Sequence, residues 1–237
     1  MLSITLVATE VPDWSVVKVS VILLFAPITN GAMAWTGTFE VFLNESSMES
    51  FTFDANWKLY IENHIDWLHL WYVHPETLGK LEHSDGKIMQ FGSSFCSYNP
   101  VKPEYEAASL ASNPLPDIPH LKDVDKRYSE IGAHFLFPNL PIFTGRSFFA
   151  LTDLVPLTPE KTQMNISLLG IPGGDADAFM ESFNQVTKDE DAVIIKTIQQ
   201  VVRSSRFAVG PIAHTYENAI SCFHEHYLNL IDGPPNA

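Results

Sequence analysis

The chain has 237 residues and a formal charge of −14, from 28 acidic against 14 basic side chains. That balance argues against nucleic acid and anionic membrane as partners, and the length suits one domain with a sizeable core. Two cysteines without a disulfide pattern predict a reducing, cytoplasmic setting.

Residues 1–12 lack a basic start before an apolar core, so a secretory signal is not expected. The apolar run 16–34 contains Lys18, Pro27, Asn30 and Gly31, which makes it a poor membrane span. Alternation within 16–21 and 36–42 predicts strands. Residues 1–45 otherwise stay unassigned, and 46–237 is expected to form the main domain.

Residues 57–73 are patterned as a helix. At about 100° per residue, Trp57, Ile61, Ile65, Leu68 and Tyr72 form an apolar stripe. Glu62, Asn63, Asp66, His69 and Val73 gather on the other side. Asp66 and His69, three residues apart, are neighbours on such a surface. The carboxylate is therefore placed to accept a hydrogen bond from a His69 ring nitrogen. His74 lies roughly 140° from His69 on an ideal helix. The two imidazoles converge only if the last turn widens or the helix stops before His74, and Pro75 favours a stop there. One reading is a wet polar face with incidental histidines. The other is a pair of neutral imidazoles that needs one carboxylate from elsewhere to form a facial metal triad.

Further along, 87–91, 134–137, 147–155 and 163–169 are short apolar or alternating runs bounded by Gly, Pro or Asp, and predict strands. Residues 99–128 are proline- and charge-rich and read as a long loop or lid. Phe135, Phe137, Phe143, Phe148 and Phe149 are placed to line a pocket, although ordinary sheet packing is the simpler account. His64, His83, His120, His134, His214 and His226 have no ligand spacing and are expected at the surface or satisfied in the core.

Asp189, Glu190 and Asp191 open a second predicted helix, 192–203, where acids suit the helix dipole. Phase separates the three. Asp191 aligns with Ile195, Ile198 and Val202 on the apolar stripe, whereas Asp189 points away and Glu190 lies on the flank. A carboxylate on a buried face needs a cation or hydrogen bonds, so Asp191 is the candidate third ligand beside His69 and His74. A last helix is expected over 218–231, with Ala219, Cys222, Phe223, Leu228 and Ile231 apolar.

The run from Asn56 to Leu78, with Asn63, Asp66, His69, His74 and Pro75 at its heart, resembles the signature of the catalytic domain of Rieske-type non-haem iron oxygenases. These are the large subunits of aromatic-ring-hydroxylating enzymes. Glu190-Asp191 with Gln199 or Gln200, followed by Ser205, Arg206, Phe207, Gly210 and Pro211, is similar to the family's distal segment. The resemblance spans about residues 50–231 and implies an α+β, helix-grip fold, a curved antiparallel sheet around a long C-terminal helix. It also implies that His69, His74 and Asp191 hold a mononuclear Fe(II). Asp66 would link the iron electronically to a neighbouring subunit's iron–sulfur cluster, and Asn63 would sit near the iron without being a regular ligand. On this reading 46–237 is the catalytic domain, dioxygen is the co-substrate, and a small organic substrate is hydroxylated or demethylated.

A Rieske centre needs two cysteines and two histidines in paired loops. Only Cys96 and Cys222 are available, and Cys222-Phe223-His224 fits an apolar-patterned helix better than a cluster loop. The [2Fe–2S] cluster is therefore expected on another chain or in a missing domain. Partners would be a Rieske, ferredoxin or reductase electron donor and, by the resemblance, further copies of the chain in a trimer. Two rivals stand beside this reading. One is a helix-grip ligand-binding protein without redox activity. The other is a zinc hydrolase using the same three ligands.

Overall fold

The computed structural model describes residues 3–9, 17–24, 38–43, 45–112, 127, 131–146, 148–170 and 176–233. Three strands, β1 (Ser3–Thr9), β2 (Val17–Leu24) and β3 (Thr38–Leu43), form a small antiparallel sheet in the order β1-β2-β3. The two strands expected before residue 45 overlap β2 and β3, and residues 16, 36 and 37 of those expectations lie outside the described residues.

The main sheet is seven-stranded and antiparallel throughout. Its strands are β4 (Glu45–Phe53), β5 (Lys87–Phe91), β6 (Ser94–Tyr98), β7 (Ile131–Leu136), β8 (Leu140–Gly145), β9 (Phe148–Thr158) and β10 (Lys161–Gly170), in the order β4-β10-β9-β8-β7-β6-β5. Along β10, Thr162, Met164, Ile166 and Leu168 are buried and alternate with more accessible residues. Such period-two burial is what a sheet covered on one face demands. β4 and β5 lie at opposite edges, so the chain crosses the whole sheet between them. The helical segment that carries the two candidate histidine ligands occupies this crossing, and the candidate carboxylate comes from the helices after β10.

The crossing helices are α1 (Trp57–Ile65) and α2 (Leu68–Val73), where the sequence reads as one continuous helix. The break is at Asp66, whose backbone is extended (φ −78°, ψ 135°). Its carboxylate accepts the N–H groups of Leu68 and His69 at 2.8 and 3.1 Å, so the acid caps the second helix. The break re-phases α2 relative to α1, and Tyr72, assigned by pattern to the apolar stripe, is 83% exposed. α2 ends before His74, as the proline after it suggested.

Asn56 anchors the start of α1. Its side-chain oxygen accepts the Lys58 N–H at 3.0 Å, its amide donates to the Pro159 carbonyl at 2.7 Å, and its own N–H donates to Gln199 Oε1 at 2.9 Å. Asn56→Ala removes both the cap and the cross-link to the β9–β10 turn. It should lower unfolding free energy by about 1–2 kcal/mol, measured by denaturant titration. A change near zero would show that the cap is dispensable.

Helix α3 (Pro103–Ser112) lies within the stretch read as a loop. Proline at the first helical position and Glu104 and Glu106 in the first turn are favourable helix-start chemistry, which composition alone disguised. Residues 99–102 and Arg127 are also described, and the rest of that stretch, His120 included, lies outside the described residues.

α4 (Ala176–Asn184) runs through a π-helical stretch (Gln185–Asp191) into α5 (Ala192–Val202). Phe183, Thr187, Asp191, Ile195 and Gln199 are all buried at steps of four residues. Each such step overshoots an α-turn by about 40°, so a purely α-helical stripe would wind away from the sheet. The wider π turn takes back part of that drift and keeps the five residues inward. Asp191 is thus in mid-helix, not at a helix start, and the dipole account of it falls. Ile198, expected on the buried stripe, is exposed and Gln199 takes its place.

α6 (Asn218–Asp232) packs its first half into the core. The Phe223 ring meets Phe135, Phe137 and Trp57 at centroid distances of 5.7, 6.1 and 6.3 Å. Leu228 and Ile231 are exposed, so the apolar half of this helix is shorter than its pattern implied. The architecture is α+β, a curved antiparallel sheet with a long C-terminal helix, as in the helix-grip fold. No described helix is long and apolar enough to cross a membrane.

Candidate metal centre

His69 leaves the first turn of α2, His74 follows its last residue, and Asp191 comes from the π turn between α4 and α5. One donor atom from each lies within 4.8 Å of the others, the sole such group among the described residues. His74 Nε2 is 3.0 Å and His69 Nε2 is 3.7 Å from Asp191 Oδ1. The two rings cross at 77° with centroids 5.1 Å apart. His74 converges on His69 because the helix has ended: its φ of −117° and ψ of 38° swing the ring out of helical phase.

His74 is held from behind. Glu190 Oε2 accepts its Nδ1–H at 2.5 Å and the Thr77 hydroxyl at 2.8 Å. With the proton of the neutral ring on Nδ1, Nε2 presents its lone pair to Asp191. His74 Nε2 and Asp191 Oδ1 are both buried without a hydrogen-bond partner. A lone pair facing a buried carboxylate oxygen at 3.0 Å requires a positive charge between them. Burial disfavours a charged His74 ring, but Asp191 and Glu190 outweigh it and hold the pKa above its usual value. A proton therefore serves in the absence of metal, and metal binding displaces it. These donors fit a divalent cation with nitrogen and oxygen preference.

Glu190 was part of the distal segment that resembles the family, but its role behind His74 carried no signal in the sequence, because its partner is 116 residues away. Glu190→Gln should leave the three donors in place and weaken divalent-metal affinity about 10–100-fold, measured by competition with a chelator. Unchanged affinity would mean that the carboxylate does not orient the ring.

The expected Asp66–His69 link takes a different form. Asp66 Oδ2 is 3.4 Å from His69 Nδ1, and that nitrogen has no hydrogen-bond partner. The carboxylate spends its lone pairs on the backbone of α2 instead, so it orients His69 through the helix as much as through the ring. Asn63, on the buried side of α1, lines the cavity beside the three ligands.

The same cavity is bounded by Leu70, Leu81, Phe143, Phe179 and Phe183. Of the five phenylalanines considered for a pocket wall, Phe143 lines it. Phe135 and Phe137 pack on Phe223 in the core, and Phe148 stacks on Phe179. Phe149 is not among the lining residues.

Two histidines without ligand spacing also reach the cavity, His64 and His83. His64 Nε2 donates to the His134 carbonyl at 2.8 Å, and burial holds its pKa down to about 4. His134 is a buried strand residue whose Nε2 pairs with the Thr144 hydroxyl while its Nδ1 has no hydrogen-bond partner, His214 is exposed, and His226 bonds the Cys222 carbonyl. His224, beside Cys222, pairs with Glu62 at 2.9 Å. Within the distal segment, Gln199 is buried and Gln200 exposed, and Phe207 lies at the surface.

The curved sheet thus carries a His-His-Asp cluster beside a largely apolar cavity, a donor set that could hold one metal ion. The chain belongs to the family described as the ring hydroxylating alpha subunit, catalytic domain, whose model matches residues 42–233. No curated protein sequence matches it. Among solved structures, it is similar to the quaternary ammonium Rieske monooxygenase CntA in complex with L-carnitine, with 14% identity and a TM-score of 0.58, covering 76% of this chain and 47% of that one. Naphthalene 1,2-dioxygenase from Rhodococcus sp., bound to indole, gives 17% identity and a TM-score of 0.53, covering 79% and 56%. Both share the fold. The chain spans about half the length of these proteins.

Proposed function

We propose that the chain is the catalytic half of a Rieske-type oxygenase, binding Fe(II) through His69, His74 and Asp191 and acting on a small organic substrate in the adjoining cavity. The observation that carries this reading is the convergence of one donor atom from each of the three side chains, with His74 Nε2 and Asp191 Oδ1 buried and facing each other at 3.0 Å. When bound, ferrous iron held on one face would supply dioxygen activation beside the substrate.

The chain's own contribution is placement. Glu190 and Thr77 keep the His74 lone pair directed inward, Asp66 secures the helix that carries His69, and the phenylalanine wall excludes water from the reacting end of the cavity. Electrons would come from a [2Fe–2S] centre outside these 237 residues, delivered by a Rieske, ferredoxin or reductase partner, with Asp66 as the bridging acid and Asn63 beside the iron. Assembly into a homo-oligomer, a trimer as in the family, would bring such a centre within reach of Asp66, and 46–237 would be the catalytic domain.

Metal analysis after anaerobic purification tests the reading. Stoichiometric iron that is lost in His69→Ala supports it, stoichiometric zinc would favour a hydrolase, and a metal-free chain would favour a simple binding protein. Asp66→Asn keeps a side-chain acceptor for the α2 cap but no charge. It should retain iron and lose turnover with a donor protein by at least about a hundredfold. Full turnover in that variant would remove Asp66 from electron delivery.

A further inference from the structure

We propose that His83 and Asn99 form the anchor for the hydroxyl group of a neutral, single-ring substrate in the cavity beside the metal triad. His83 belongs to a short 3₁₀ turn (His83–Asp85) and Asn99 follows the last residue of β6, so the pair joins two elements that close one wall. Both side chains line the same cavity as His69, His74 and Asp191, yet they are only 5% and 8% exposed.

His83 Nδ1 lies 3.3 Å from Asn99 Oδ1. A carbonyl oxygen only accepts, so Nδ1 carries the proton and Nε2 is left with its lone pair. Burial lowers the His83 pKa and keeps the ring neutral. Asn99 uses its oxygen on His83, which leaves its NH2 group to donate. The pair therefore offers one acceptor and one donor, the complement of a hydroxyl that donates to Nε2 and accepts from Nδ2.

The arrangement is built, not incidental. The neighbouring turn carries Gly86, where a Cβ would fall 2.2 Å from the Trp67 ring and 2.8 Å from Asn99 Oδ1. The edge of Trp71 meets the His83 ring at 5.4 Å.

Charge and size narrow the ligand. None of the residues lining the cavity is lysine or arginine, so an anionic group finds no cationic side chain to pair with, and in the metal-free chain Asp66 and Asp191 repel it. The space is about 110 Å³, comparable with the roughly 150 Å³ apolar cavity that accepts benzene. Phe143, Phe179 and Phe183 supply apolar walls for one ring. The assignment rests on the oxygenase reading only for calling the bound molecule a substrate.

Calorimetric titration of p-cresol, 4-methylanisole, toluene and 4-methylbenzoate into the chain under argon, with and without Fe(II), tests it. p-Cresol should bind about tenfold or more tightly than toluene, the worth of one net hydrogen bond or slightly more. 4-Methylanisole, which accepts but cannot donate, should fall below p-cresol, and 4-methylbenzoate should not bind the metal-free chain. His83→Leu and Asn99→Leu should each bring p-cresol to the affinity of toluene while toluene is unaffected. If a variant fails to fold, the ranking in the unaltered chain decides alone. Equal binding of p-cresol and toluene, strongest binding of the benzoate to the metal-free chain, no saturable binding, or a preference that survives both variants would overturn the proposal. Iron bound without a p-cresol preference removes the anchor alone, whereas a p-cresol preference without iron binding removes the metal reading alone.

Discussion

Asp191→Ala is expected to abolish stoichiometric iron binding, a larger effect than the about 10–100-fold loss associated with an outer-sphere partner such as Glu190. Asp191 Oδ1 is the carboxylate oxygen that faces the Nε2 atoms of both imidazoles, at 3.0 and 3.7 Å, and Glu190, the other carboxylate at His74, is turned to its far nitrogen. Two histidines alone leave a cation short of its anionic ligand, and no other described acid completes the group. Linkage provides a second readout. Fe(II) at about a hundred times its dissociation constant should stabilise the unaltered chain by about 2.7 kcal/mol. The same addition should leave the melting temperature of Asp191→Ala unchanged. Iron retained by the variant at full stoichiometry would sink the triad.

Acid should unfold the chain through His64 and His134 before the carboxylates matter. Burial, with a smaller contribution from the His64 charge, holds the His134 pKa at about 4 against 6.5 for a free histidine, and burial likewise holds His64 at about 4. As pH falls, the unfolded chain takes up these protons first. The stability these two neutral rings contribute is therefore complete above about pH 6.5 and is lost progressively down to about pH 4, below which both states are protonated. For His134, buried in the sheet, the loss is on the order of 3 kcal/mol. Denaturant titrations across that range should show the fall, and His134→Asn, which removes one of the two titrating rings, should reduce its slope. An unaltered slope would show that His134 is charged in the folded chain.

Much of the candidate site was legible before any coordinates. His69, His74 and Asp191 carry their chemistry in local spacing and helical phase, and Pro75 signalled the end that lets His74 turn inward. Elements with weak local signals were not. β4 is polar along much of its length, β6 is a five-residue strand of mostly small side chains, and β8 contains Pro141 and Gly145. Each is a strand because a neighbour supplies its ladder, which a local pattern does not record. The Asp66 break was hidden for a related reason: nothing in the apolar period of 57–73 distinguishes one helix from two until the carboxylate chooses backbone N–H groups over the His69 ring.

Residues whose roles depend on distant partners escaped altogether. Glu190 reads as a solvated helix acid until it meets His74, and His83 has no ligand spacing because it pairs with Asn99 on another element. The π turn, too, is invisible to a 3.6-residue period, yet it carries Asp191 on the buried stripe. The amino-acid order by itself determined the strongly patterned helices and strands, the acidic balance and the three candidate donor side chains, since propensity, charge and spacing act over a few residues. The tertiary structure decided which lone pairs face one another and which acid stands behind which ring. Those contacts join segments more than a hundred residues apart, where direction and distance come from packing and not from pattern.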